Sequence, residues 1–223
     1  MVFDSGWGGE LVADFLEEEI GVVEVIRVID WRNAPYEQKN PREICDAIEE
    51  ALSGFFGKVD VFVLAGFASS RALDLIRKRR PMERFVGFRY GQFKRALKTN
   101  EGFKALILAE KSEQERPEFW RLVERLEERD IIVEIPNCEG WAKMIDDGDM
   151  KIGLIEEELG KYVDSRRLGG DAVIICNTHF WDIRQEIREV LKWPAQIIDQ
   201  KWEVLHAVCR ALELKGGDGR RRK

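Results

Sequence analysis

Short β-branched and aromatic runs alternate along this chain with longer amphipathic stretches, a pattern that commits it to strand–helix–strand crossover units and a mostly parallel sheet. The runs Val22 to Ile29, Val59 to Leu64, Phe85 to Phe88, Ala105 to Ala109, Ile131 to Ile135, Ala172 to Cys176 and Ala195 to Ile198 read as strands. Between them, apolar residues recur at helical spacing. Phe119, Leu122, Val123 and Leu126 share one face of a segment after Ser112, while Glu118, Arg121, Glu124, Arg125 and Glu128 cover the rest. Ser112 with Glu115 fits a capping box, and Pro117 fits the first turn of a later start. The same spacing runs through Ile44, Ala47, Ile48 and Ala51 in Glu43 to Leu52, and through Ile183, Ile187, Val190 and Leu191 in Trp181 to Leu191. At 223 residues the chain has room for one large α/β domain or two small ones.

Composition narrows the chemistry. Cys45, Cys138, Cys176 and Cys209 stand far apart with no C-x-x-C pair, and His179 and His206 are the only histidines, so neither a zinc site nor a disulfide scaffold is expected. No metal is called for. A net charge of -6 argues against a general nucleic-acid binder, which needs clustered Lys and Arg. The basic end, residues 216–223, is Gly-rich and reads as a disordered tail. No apolar run approaches the roughly 20 residues of a membrane span. The chain opens on Met1-Val2-Phe3-Asp4 without a signal-like stretch, so a cytoplasmic location with reduced cysteines and no membrane partner is the expectation.

Two halves of the chain share a coarse plan. In each, an apolar strand ends in a small or polar cluster and feeds a helix: Val61-Phe62-Val63-Leu64-Ala65-Gly66-Phe67-Ala68-Ser69-Ser70 in the first, Val173-Ile174-Ile175-Cys176-Asn177-Thr178-His179 in the second. Open parallel sheets place ligands at the carboxyl ends of their strands, where backbone N–H groups gather. A third cluster, Asp4-Ser5-Gly6-Trp7-Gly8-Gly9, precedes a helical pattern through Leu11, Val12, Phe15 and Leu16. Its spacing is not that of a dinucleotide-binding loop, and by itself it reads as a turn and helix cap.

These clusters together resemble the glutamate racemase family, within the aspartate/glutamate racemase superfamily. The family's D-S-G-x-G-G signature is matched at Asp4 to Gly9 without a gap. Its P-Y-G-x-K element is similar to Pro35-Tyr36-Glu37-Gln38-Lys39, and its A-C-P-L-F segment to the stretch around Cys138. Asp199, after Gln196-Ile197-Ile198, fits the I-I-D near the end. The similarity spans Val2 to about Leu212, with the elements in the same order. The reading is an α/β protein of two similar Rossmann-like (flavodoxin-like) parallel-sheet domains related by pseudo-twofold symmetry, with the ligand cleft between them. Residues 1–97 with 195–215 would form the first domain, and 98–194 the second.

The resemblance implies cofactor-independent proton transfer between two opposed cysteines, with glutamate or a related small carboxylate as ligand; a homodimer is compatible, since family members are often dimers. It assigns ligand-facing roles to Asp4, Ser5, Tyr36, Gly66, Ser69, Asn177 and Thr178, and catalytic ones to Cys176 and His179. Here the chain departs from the family. Gly66 stands where the first cysteine belongs, and aligning Thr178 and His179 puts Asn177 in the second cysteine's place, with Cys176 one residue early. On a strand, one residue separates the ligand-facing side from the core. Cys176 is then either a site thiol, reached through a bulge, or a small buried hydrophobe. Three functions follow: a glutamate-racemase-like protein with two-thiol racemisation impaired, a one-thiol enzyme resembling arylmalonate decarboxylases and using Cys176, or a non-catalytic carboxylate-binding protein. Trp7, Trp31, Phe67 and Trp181, near the motifs, are read first as packing residues between domains.

Overall fold

The computed structural model describes residues 1–21, 23–36, 38–89, 103–149, 151–162, 172–191, 196–199 and 201–213. It divides into two compact units, Met1–Arg89 with Lys201–Lys223, and Tyr90–Gln200. Each is built on a four-stranded, all-parallel sheet.

In the first unit the strands are β1 (Val2–Asp4), β2 (Arg27–Ile29), β3 (Phe62–Leu64) and β4 (Phe85–Gly87), in spatial order β2-β1-β3-β4. Val2 pairs with both Arg27 and Val63, so β1 is central. It is buried throughout, with apolar Val2 and Phe3 leading to Asp4 at its carboxyl end, as suits a strand covered on both faces. Helices α1 (Gly8–Ile20), α2 (Pro41–Leu52), α3 (Phe67–Ser70) and α4 (Leu73–Arg79) make the crossovers. The start of α2 is locally determined. Asn40 caps it by accepting the Arg42 and Glu43 N–H groups, the Glu43 carboxylate accepts the Asn40 N–H at 2.8 Å, and Pro41 takes the first turn. The apolar stripe Ile44, Ala47, Ile48 and Leu52 packs against Phe3, Phe62 and Leu64. Within that core Phe62 stacks on Phe85 at 4.9 Å between ring centres.

The second unit repeats the plan. Its strands β5 (Lys104–Leu108), β6 (Ile132–Glu134), β7 (Ala172–Ile175) and β8 (Gln196–Ile198) lie in the order β6-β5-β7-β8. The helices of this unit are α5 (Lys111–Gln114), α6 (Pro117–Glu127), α7 (Trp141–Asp146), α8 (Ile152–Gly160) and α9 (Arg184–Leu191). Its core gathers Leu106, Leu108, Val173, Ile175, Phe180 and Ile187, with Trp141 against Phe180 at 5.6 Å. The last helix, α10 (Lys201–Ala211), returns to the first unit, where Trp202 meets Phe15 edge-on at 5.2 Å.

Several sequence expectations are corrected. The strand expected from Val22 to Ile29 is ordered as strand only over Arg27–Ile29, with Val22 itself outside the described residues. The run expected as a strand from Ala195 does not start the return to the first unit: β8 pairs with β7, Ala172 beside Gln196, so residues 196–199 belong to the second sheet. The other expected boundary, at 97/98, and the tail at 216–223 lie outside the described residues. The capping pair after β5 is Glu110 with Glu113 rather than Ser112 with Glu115, while Pro117 does open the long helix. Trp181 sits in a 3-10 turn (Thr178–Trp181) ahead of α9 rather than at its start. Among the described residues no helix is long and apolar enough to cross a membrane.

In both sheets the chain runs outward from the first strand to the second, then crosses to the first strand's other side. The order therefore reverses between β1 and β3, and again between β5 and β7. Loops leaving adjacent strands at such a reversal run in opposite directions and open a crevice at the carboxyl ends. Asp4 and Gly66 flank one reversal, and the Ala109–Glu113 turn and Asn177 flank the other.

Candidate functional site

Asp4 closes β1 and is nearly buried. Its backbone oxygen accepts the Asp30 N–H at 2.9 Å, and its Oδ1 accepts the Ser5 N–H at 2.8 Å. Two glycines make room for it. A Cβ on Gly9 would stand 2.8 Å from Asp4 Cβ, which has no freedom to swing away. A Cβ on Gly66 would overlap Asp4 Oδ1 and stand 3.3 Å from Asp4 Cγ. The space in which a side chain at position 66 would begin is thus filled by the Asp4 carboxylate.

Two residues expected to face a ligand are engaged elsewhere. Ser69 is fully buried; its hydroxyl donates to the Gly66 oxygen at 2.9 Å and accepts the Gly66 N–H at 3.2 Å, so it clasps the turn. Tyr36 is also fully buried, in the core against Phe3. Its hydroxyl donates to Asp30 Oδ2 at 2.7 Å, and burial, reinforced by that carboxylate, drives its pKa far up. Asp30 also accepts the Asn33 N–H at 3.1 Å. Ser5, half-buried, remains at the strand end beside Trp7 and Trp31, which lie edge-on to each other at 5.5 Å and are 57% and 54% exposed. Phe67 packs on Phe88 at 5.4 Å within the same unit. A hollow of about 300 Å³ lies at the opposite, amino ends of these strands, lined by Met1, Val2, Val61 and Val63 among others, away from the polar cluster.

In the second unit the ladder between β5 and β7 keeps one register from Ala105–Ala172 to Leu108–Ile175, and the Cys176 N–H continues it to the Leu108 oxygen at 2.9 Å. There is no bulge to turn Cys176 outward. The residue is completely buried, and burial, aided by the Glu113 carboxylate, pushes its thiol well above the usual range. This is the environment of a core cysteine rather than of an exposed site thiol.

Asn177, next along, faces a cluster that local sequence patterns do not announce. Its Oδ1 accepts the His179 N–H at 3.0 Å and its Nδ2 donates to Glu113 Oε1 at 3.4 Å. Glu113 is buried, and its other oxygen accepts the Glu110 N–H at 2.8 Å. Burial raises its carboxyl to about 7, against the opposing pull of the Arg116 guanidinium. Arg116 is itself buried, with an Nη1 that has no hydrogen-bond partner. Glu110 is raised too, chiefly by burial, and its Oε1 accepts the Ala142 N–H at 2.9 Å. His179 approaches Asp146 Oδ1 through Nδ1 at 2.7 Å, and Thr178 is buried beside it.

No local sequence motif points to Glu110, Glu113, Arg116 or Asp146. The one visible signal was an acidic pair at three-residue spacing directly after an apolar strand. Cys138 is buried with its sulfur toward the Pro136 oxygen at 3.6 Å, and burial raises its thiol as well. Asp199 is buried after β8 and pairs with Arg184 Nη1 at 3.4 Å, a structural ion pair. Among the described residues no group of three or more His, Cys, Asp or Glu is placed to hold a metal.

Fold and site together define an α/β protein of two parallel-sheet units, each collecting acidic and polar side chains where its strand order reverses. No family model matches the chain. It is 25% identical over 224 residues to the glutamate racemase of Sulfurovum sp. (strain NBC37-1), covering 98% of this chain and 84% of that protein. It is 27% identical over 219 residues to the glutamate racemase of Pseudomonas syringae pv. tomato, covering 96% and 78%. Escherichia coli glutamate racemase, in complex with L-glutamate and the activator UDP-MurNAc-Ala, superimposes with a TM-score of 0.77 over 100% of this chain and 85% of the other, at 18% identity. The Francisella tularensis glutamate racemase in complex with D-glutamate gives a TM-score of 0.71 at 20% identity, covering 96% and 82%. Over nearly its whole length the chain is therefore similar to glutamate racemases in sequence and in fold.

Proposed function

We propose that this protein binds glutamate or a closely related small carboxylate at the carboxyl ends of its strands, and that it does not racemise the ligand through a pair of thiols. The observation that carries this reading is the Asp4 carboxylate lying where the side chain of residue 66 would begin. A first thiol has no residue to hold it, and even a Cβ at position 66 would require the Asp4 carboxylate to turn aside. Asn177 has no sulfur to offer as the second, and the Cys176 sulfur is fully buried. The similarly folded Escherichia coli and Francisella tularensis glutamate racemases are complexed with L- and D-glutamate, which supports this ligand class.

In this reading Asp4 and Ser5 receive the ligand's ammonium group, a buried carboxylate being the natural counter-charge. The one-thiol decarboxylase reading gains nothing from a fully buried Cys176. A binding protein without turnover is the second reading, favoured by the loss of an accessible thiol at both family positions.

Thermal unfolding with added L-glutamate, D-glutamate and dicarboxylates tests the ligand class. At a hundredfold excess over Kd, mass action contributes about 2.7 kcal/mol, a rise in Tm of roughly 5–10 °C for a chain of this size. Asp4→Asn is expected to weaken binding at least about tenfold, the equivalent of about 1.4 kcal/mol. No shift with any of these ligands overturns the reading.

A further inference from the structure

We propose that Trp7 and Trp31 are the walls of an ammonium site in the first unit, and that the site takes the N-methylated form of a small amino-acid carboxylate in preference to its primary amine. The inference rests on the glutamate-binding reading and names its ligand class more closely. Every group it uses belongs to the first unit.

The two tryptophans stand at the carboxyl ends of β1 and β2. Their rings lie 5.5 Å apart between centres with the planes at 63°, so they form a corner, and 57% of Trp7 and 54% of Trp31 stays open to water. An exposed aromatic surface of this kind marks a place that a ligand or partner covers. The corner is fixed from both strands. Trp7 follows Ser5 and Gly6 and opens α1, its oxygen accepting the Glu10 N–H at 2.9 Å. Trp31 directly follows Asp30, whose N–H donates to the Asp4 oxygen at 2.9 Å and whose carboxylate accepts from the Asn33 N–H, the Asn33 Nδ2 and the Tyr36 hydroxyl. Both side chains therefore leave the backbone close to Asp4, and the turn that carries Trp31 is already ordered before anything binds.

Charge decides which ligand fits the corner. Asp4 and Asp30 end adjacent strands at 5% and 7% exposure, and the donors that hold the Asp30 carboxylate are all neutral. Two carboxylates side by side give this end of the sheet a negative potential. The cations nearest in sequence are turned to other acids: Arg32 pairs with Glu50 at 2.9 Å, and Arg27 with Glu10 at 3.0 Å. A negative potential behind two tryptophan faces selects a cation, which the ring quadrupole attracts, and tryptophan is the strongest aromatic partner for one. It selects an alkylated cation in particular. A primary ammonium has three N–H donors that call for oxygen acceptors, whereas N-methyl groups spread the same charge over a surface that needs none and that lies directly on the rings. A neutral apolar group of the same shape gains nothing from the carboxylates.

The test is the affinity, by isothermal titration calorimetry, of L-glutamate, N,N,N-trimethyl-L-glutamate and 2-tert-butylglutarate, the neutral isostere with carbon in place of the charged nitrogen. Wild type, Trp7→Ala, Trp31→Ala and Trp7→Phe are compared. Wild type is expected to bind the trimethyl form about tenfold more tightly than either of the others, the scale of a desolvated cation–π contact. Each alanine variant should bring that preference to within roughly threefold, and Trp7→Phe should keep part of it, since phenylalanine offers a weaker face. Equal affinity of wild type for the trimethyl form and the neutral isostere overturns the inference, as does a preference that survives in both alanine variants. A lowered Tm in those variants with wild-type affinities makes the pair packing residues and also overturns it. Binding of L-glutamate without any preference for the trimethyl form overturns the inference while leaving the binding reading intact. Failure of all three ligands to bind removes both.

Discussion

In the native protein all four cysteine thiols are expected to be silent toward an exposed-thiol reagent, reacting on the order of a thousandfold more slowly than in the unfolded chain. Cys45, Cys138, Cys176 and Cys209 are all buried. Burial also raises the thiols of Cys45, Cys138 and Cys176, which removes the thiolate that such reagents attack. Denaturation should release all four together. A fast-reacting cysteine in the folded state, mapped by mass spectrometry to Cys176, would show that a site thiol survives.

At pH 8, Glu113→Gln is expected to be more stable than wild type by about 3 kcal/mol, and the advantage should shrink to below about 1 kcal/mol at pH 5. The sign follows from burial. The Glu113 carboxyl is raised from 4.5 to about 7 in the folded protein, so the folded state holds a proton that the unfolded chain has lost between those values. Stability therefore falls as pH rises through that window, and the full cost is present above it. Glutamine keeps an oxygen for the Glu110 N–H and never ionises, so the variant escapes the fall. Urea unfolding of both proteins at pH 5, 6.5 and 8 measures it. Equal stabilities at pH 8 would mean that Glu113 titrates as an ordinary surface carboxylate.

The two predictions bear on different parts of what the sequence made legible. Parallel strands covered on both faces read as continuous apolar runs, which is why β3, β5 and β7 stand out. The amphipathic stripes of α2 and α6 were equally clear. Edge strands are less clear: β2, with β1 as its single partner, is strand only over Arg27–Ile29, and the ladder starts at the Ile26 oxygen, which accepts the Val2 N–H at 2.8 Å. The sequence leaves Cys176 as either site thiol or core residue, and the unbroken ladder to Leu108 favours the core.

The second unit's cluster was largely hidden. Glu113 and Asn177 are 64 residues apart, and His179 and Asp146 33, so no local pattern links them. Glu113 and Asn177 meet because β5 and β7 lie side by side, and His179 meets Asp146 because α7 packs on the turn after β7. Tyr36 and Ser69 went the other way: motif position suggested ligand contact, while a buried carboxylate and a turn oxygen claim their hydroxyls.

The most direct measurement of the account is chiral analysis of L- and D-glutamate after long incubation with the protein, alongside NMR of the Cα position in D2O. The account predicts bound ligand and no change of configuration in either direction. Interconversion of the two enantiomers, at a rate lost when Cys176 is replaced by Ala, would contradict it.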